Sequence, residues 1–266
     1  MADNAGGTGP GSGAGIRAAP PFNLDLIFGL AFQAIRGGLG GFVLLLLWSF
    51  VLLAVITGIL IGSWIALSEP GAVASDIARV DPAYAAIVVA MGLLYLVGIA
   101  LIHLTTVGLA FAVLRHRRVP LSRLFALSRR RFWPALGSMV LAMLGTGLGL
   151  LLFIVPGLIL LVRWWVWAPA SLIEGCGPGR ALGRSAELTR GVRWMVFWTW
   201  LITFLVSGAL NQVAAALADW HFAFGVLSLA IYGFASVFWS CLMVAVYVAL
   251  RDREGGAAPD LVGDAL

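Results

Sequence analysis

Long apolar runs alternate with short polar gaps along most of this chain. A helix needs roughly 20 apolar residues to cross about 30 Å of hydrocarbon, and six stretches meet or approach that length. Span one covers Phe42 to Leu67, span two Tyr84 to Leu114 and span three Trp133 to Ile154. Span four covers Leu158 to Ile173, span five Trp194 to Leu217 and span six Phe222 to Leu250. Span two is long enough to tilt or to project beyond the bilayer. Pro156-Gly157 predicts a tight turn that makes a helical hairpin of spans three and four. Span four is short and carries Arg163, so a re-entrant hairpin is the alternative at that place. The pattern predicts an all-α, polytopic transmembrane bundle.

Three shorter segments change the period rather than the solvent. In residues 22–37, Leu24, Ile27, Phe28, Ala31 and Ile35 share one helical face, while Asp25, Gln33 and Arg36 fall away from it. This predicts a helix lying in the membrane interface, or else a short helix buried under the bundle. Between spans two and three, Leu121, Leu124 and Phe125 share a face and Arg123 and Arg129 lie off it, again an interfacial pattern. From Gly177 to Arg193, Pro178 suits a first helical position. There Ala181, Leu182, Ser185 and Leu188 form one face, Arg180, Arg184 and Glu187 another, and Gly191 a stop. The organisation is therefore a disordered Gly/Ala/Pro/Ser-rich tail (1–21), an integral membrane helical domain (22–250) and a C-terminal tail (251–266).

Composition agrees and charge adds direction. Hydrophobic residues make up 61% of the chain and charged residues 11%, against about 25% charged in soluble domains. The formal charge is +5 with a pI near 10.0, and every basic residue other than histidine is arginine, which suggests a GC-rich bacterial genome. No nucleic-acid module accompanies that charge, so no nucleic-acid partner is expected. Seven arginines, from Arg115 to Arg131, lie between spans two and three; Arg180, Arg184, Arg190 and Arg193 lie between four and five. The gap between one and two carries Glu69, Asp76 and Asp81 with a single Arg79, and that between five and six has Asp219 and His221 but no arginine. The positive-inside rule then places both termini and both arginine-rich loops in the cytoplasm of a bacterial inner membrane. Trp48, Trp64, Trp133, Trp194, Trp220 and Trp239 fall near the expected interfaces.

Candidate chemistry is sparse. Arg163 lies inside an apolar run beside Trp164, Trp165 and Trp167, with no acidic partner in the spans. A charge at mid-span costs at least ~2.5 kcal/mol and normally faces the bundle or water; stacking on an indole would lessen the cost. Arg163 either snorkels or pins helices, or it contacts a lipid phosphate or a substrate together with Trp164 and Trp165. Arg180, Arg184 and Arg190 either hold lipid phosphates or form Arg-Glu pairs that make the segment a rigid connector. His103 is isolated and expected to hydrogen-bond between helices. Cys176 and Cys241 lack metal-site spacing. No Walker loop, zincin helix, nucleophile elbow or paired intramembrane carboxylate is present, so no cofactor, metal or catalytic set is expected.

The stretch Val155 to Trp194 carries Pro156-Gly157, Arg163-Trp164, Pro169, Glu174-Gly175, Ala181-Leu182, Arg184-Ser185, Leu188 and Arg190-Gly191. It resembles the membrane domain attached to some glycerophosphoryl diester phosphodiesterases, and related six-span bacterial proteins. Phe132-Trp133-Pro134 and the N-terminal amphipathic helix suit that group too. The resemblance implies a six-helix integral domain with its basic helix on the cytoplasmic side. The phosphodiesterase activity belongs to a separate soluble domain of those enzymes and is not expected of this chain. The function expected is a non-enzymatic accessory or lipid-organising module, interacting with anionic lipids, a membrane complex or a second copy of itself. A small transporter or channel is the alternative.

Overall fold

The computed structural model describes residues 22–67, 82–218 and 222–255. The expected tail 1–21, the acidic gap with Glu69, Asp76, Arg79 and Asp81, the gap Asp219 to His221 with Trp220, and residues 256–266 lie outside the described residues. Among the described residues all regular structure is helical: α1 (Leu24–Leu67), α2 (Pro82–Leu114), α3 (Leu121–Arg130), α4 (Phe132–Leu152), α5 (Ile154–Trp164), α6 (Trp167–Glu174), α7 (Pro178–Leu188), α8 (Arg193–Ala218) and α9 (Phe222–Arg253). Six candidate spans are long and apolar enough to cross a membrane; the fourth runs through α5 and α6 together. The protein is a multi-pass membrane protein built as an all-α bundle.

Proline sets the segmentation in the middle of the chain. A proline inside a helix removes one N–H and clashes with the carbonyl four residues back, but it is tolerated in a first turn. Pro134, Pro156 and Pro169 are each the third residue of α4, α5 and α6. The carbonyls they disallow belong to Arg130, Leu152 and Trp165, where α3 and α4 end and where α5 has its C-cap. This corrects the expected Pro156-Gly157 turn. The chain reverses at Phe153, which is extended at φ −157°, and Pro156 already belongs to the next helix. Gly157 instead lets two backbones meet. A Cβ there would sit 2.5 Å from the Leu150 backbone nitrogen, and one on Gly149 2.9 Å from Gly157 Cα. The same logic divides expected span four, which Pro169 breaks after Trp164.

The N-terminal amphipathic helix is not separate from span one. α1 is continuous over 44 residues, about 66 Å, more than twice the hydrocarbon thickness. Its first half buries Ile27, Ala31, Ala34 and Phe42 while Asp25, Gln33 and Arg36 stay exposed, as the face pattern required. Phe28 and Phe32 pack on Phe238 of α9, so this half lies against protein. α3 and α7 bury Leu124 and Leu127, and Ala181, Leu182, Ser185 and Leu188, respectively. Their apolar faces rest on α2 and on α4, α5 and α6; Phe125 is exposed. At the centre, residues 241–250 of α9 are buried on every side, with α1, α2, α6, α7 and α8 packed around the helix.

Candidate functional site

The arginine-bearing end of the bundle is organised around Glu174. This carboxylate is the last residue of α6, where the negative end of the helix dipole disfavours an anion. Cations and a phenol compensate. Arg184 Nε donates to its two oxygens at 3.0 and 3.3 Å, and Tyr247 donates its hydroxyl to Oε1 at 2.8 Å. The Arg251 guanidinium pairs with the same oxygen. Arg184 also reaches Glu254 through Nη1 and Nη2 at 3.1 and 2.5 Å and Glu187 at 3.6 Å. Its guanidinium is held above the ordinary arginine range, first by the hydrogen bond to Glu254. Arg115 joins α2 to the end of α9 through Asp252 at 2.6 Å. The Glu174 carboxylate is only 13% exposed, so removing one partner strands the others in a poorly hydrated place.

Two further contacts lock α6 and α7 in place. Arg131, between α3 and α4, donates to the Leu172 and Ile173 carbonyls at 2.7 and 3.3 Å, satisfying the end of α6. Gly175 follows at φ 66°, and a Cβ there would be 2.7 Å from Arg131 Nη1, so both backbone and space select glycine. On α7, Ser185 repairs the break in span four. Its hydroxyl donates to the Arg163 carbonyl at 2.9 Å and accepts the Val166 N–H at 3.2 Å. The two backbone groups freed by the break thus find one buried side chain.

The arginines singled out in the sequence separate into two sets. Arg184 is taken up by carboxylates. Arg180 and Arg190 are exposed, and no carboxylate within ion-pair distance accompanies them among the described residues. Arg163 is half-buried, with Nε shielded and without a partner among the described residues. It does not stack on an indole: the cation–π contacts among the described residues are Arg115 over Phe111 and Arg253 over Phe22. Trp164 lies instead against Gly145 of α4. Trp165 is buried edge-on to Trp239 at 6.0 Å, with its indole N–H also unpartnered. Arg163 and Trp165 thus flank the helix break, and the Ser185 bridge ties that break to the helix bearing Arg180 and Arg184. Trp239, also expected at an interface, is half-buried against Trp165; Trp48, Trp64, Trp133 and Trp194 are exposed.

Sequence reasoning missed the hub itself. Glu174 stands beside a glycine at the end of an apolar run, and its partners Tyr247 and Arg251 lie on the last helix. The available signal was an acidic residue facing four nearby loop arginines. Cys176, beside the hub, has its thiol pushed up by burial and then by Glu174, against the pull of Arg180, Arg184 and Arg131. Among the described residues no group of three or more His, Cys, Asp and Glu could hold a metal ion. An apolar cleft of about 450 Å³ between α1, α2 and α3 is lined by Trp48, Leu52, Leu101 and Phe125 at mid-span depth and reaches Ser122 of α3. No family model, curated protein or solved structure matches this chain.

Proposed function

We propose that this protein is a non-enzymatic module of the bacterial inner membrane that gathers anionic lipid at a cytoplasmic, arginine-rich end. One observation carries the reading. The carboxylates at this end are occupied by Arg184, Arg251 and Arg115, whereas Arg180 and Arg190 are exposed without an acidic partner among the described residues. Each arginine near an anionic surface contributes about 1 kcal/mol. The apolar cleft beside Ser122 suits an acyl chain whose phosphate meets this belt, and Arg123 stands next to it in sequence. The Glu174 hub holds Arg184, and with it α7, the helix that carries Arg180, against the bundle, which suits an accessory or scaffolding role.

The test is the lipid that accompanies the purified chain. Native mass spectrometry in mild detergent is expected to find phosphatidylglycerol or cardiolipin retained on the wild type. The double variant Arg180→Gln, Arg190→Gln is expected to lose most of it while keeping its thermal unfolding midpoint. Unchanged anionic lipid on the double variant would overturn the proposal, and a protein subunit retained in its place would redirect it to a membrane complex. The transporter reading draws on the break after Arg163, since discontinuous helices line substrate sites in transporters. Solute flux in reconstituted vesicles that disappears with Arg163→Ala would favour it.

A further inference from the structure

A second cleft lies between α1, α2 and α9, with a volume of about 260 Å³. Its polar lining includes Ser49, Tyr95, His103, Thr106, Ser236 and Ser240, and among the described residues no charged one lines it. His103 lies about 18 Å along α2 from Arg115, and Ser240 about 16 Å along α9 from Arg251. The cleft is therefore deep in the apolar section of the bundle. Tyr232 and Ser236 line it and are exposed, which opens it on the outer face of the bundle, toward lipid.

The hydrogen bonds fix what this cleft can accept. Ser240 donates its single hydroxyl proton to the Ser236 carbonyl at 3.0 Å. With the proton assigned to that carbonyl, the Ser240 oxygen is the acceptor for the imidazole, whose Nδ1 is 3.2 Å away. That assigns the neutral tautomer with the proton on Nδ1. In that tautomer Nε2 is the acceptor nitrogen of the ring, and it makes no hydrogen bond among the described residues. Thr106 and Ser49 likewise direct their protons to the carbonyls of Ile102 and Leu46, so their oxygens face outward as acceptors. The cleft thus offers several acceptors beside the Tyr95 hydroxyl, and among the described residues no cation lines it to meet a phosphate. Its complement is an uncharged donor, because burying a charge here without a counterion is costly.

We propose that this cleft binds a neutral lipid bearing a free hydroxyl, of the diacylglycerol type, with the hydroxyl donating to His103 Nε2. The cleft holds the compact hydroxyl-bearing end, and the tails leave past Tyr232 into the bilayer. The site is on a different helix interface from the arginine belt and recognises the opposite kind of headgroup.

The test uses the full chain in nanodiscs of zwitterionic lipid and a photoactivatable diacylglycerol. Unlabelled 1,2-dioleoylglycerol is expected to compete for labelling. Its O-acetylated derivative, which cannot donate, is expected to need about tenfold more. His103→Phe is expected to lower labelling about tenfold, and His103→Gln, whose amide oxygen restores an acceptor, to recover it. If His103→Phe fails to fold, the wild-type competition between the free and capped lipids decides alone. Equal competition by the capped lipid, absence of saturable labelling, or wild-type labelling of a folded His103→Phe would each overturn the proposal.

Discussion

The two halves of α9 belong to different kinds of protein. From Cys241 to Leu250 the helix is buried on every side, and Tyr247 ends in a carboxylate held by two arginines. Earlier in the same helix, Leu227, Leu229, Tyr232 and Phe234 are exposed. The contrast extends across the bundle. The first half of α1, the end of α2, and α3, α6 and α7 form a packed base with a polar hub, resembling a soluble core. The opposite half presents Val51, Ile59, Ile65, Val89 and Leu94 outward, a surface meant for hydrocarbon. Lipid is as apolar as leucine, so helices there gain nothing from burial and associate by close packing. The base uses charge pairs and hydrogen bonds, sheltered at Glu174, Arg184 and Arg251 and open to water at Asp252, Glu187 and Glu254.

The largest expected disruption is loss of the hub. Glu174→Ala removes the shared acceptor of Arg184, Arg251 and Tyr247, and should cost about 3 kcal/mol in denaturant titration of the detergent-solubilised protein. Tyr247→Phe, which removes one donor only, should cost about 1 kcal/mol. A hub that tolerates Glu174→Ala would erase the distinction between the two halves. Next comes Ser185→Ala, which strands the Arg163 carbonyl and the Val166 N–H. An expected loss of about 2 kcal/mol should appear with faster hydrogen exchange at Val166 and its neighbours.

The lipid-facing half should answer to backbone spacing instead. Gly157→Ala drives a methyl into the α4 backbone and should cost about 2 kcal/mol. Gly62→Ala, with open space around it, should be neutral or slightly stabilising. Equal effects at the two positions would mean that the α4–α5 approach is not tight. The smallest effect sharpens the picture of the base. The Cys176 thiol is raised by burial and by Glu174, so at pH 8 less of it is thiolate than in an unfolded chain, and iodoacetamide should react more slowly. Glu174→Gln removes the carboxylate's contribution, lowers the thiol toward its ordinary value and should speed the reaction. A rate unchanged by that substitution would detach Cys176 from the hub.

Hydropathy made the spans legible because lipid imposes one requirement on every residue of a span. The faces of α3 and α7 were legible too, since amphipathic period survives whether the apolar side meets lipid or protein. What covers those faces was not, and both rest on neighbouring helices. The break after Trp164 has no glycine or proline at the break itself. Its cause, Pro169, stands within the following helix, as Pro156 does for the turn at Phe153. The Glu174 cluster was hidden for another reason. Its members come from three helices, and an ion pair between distant segments leaves no periodic trace. Arg180 and Arg190 were visible as charges, yet only the pairing of Arg184 separates them from arginines with a structural partner.

The tip between α4 and α5 has a consequence for how the protein is made. From Leu148 to Val162 the chain carries no polar side chain, and Leu151, Phe153 and Ile154 at the reversal are among its most exposed residues. A loop normally has to be dragged through the insertion machinery with its hydrated groups. Here nothing hydrophilic needs to travel, so the two helices can enter the bilayer during biosynthesis as a closed wedge driven in from one leaflet.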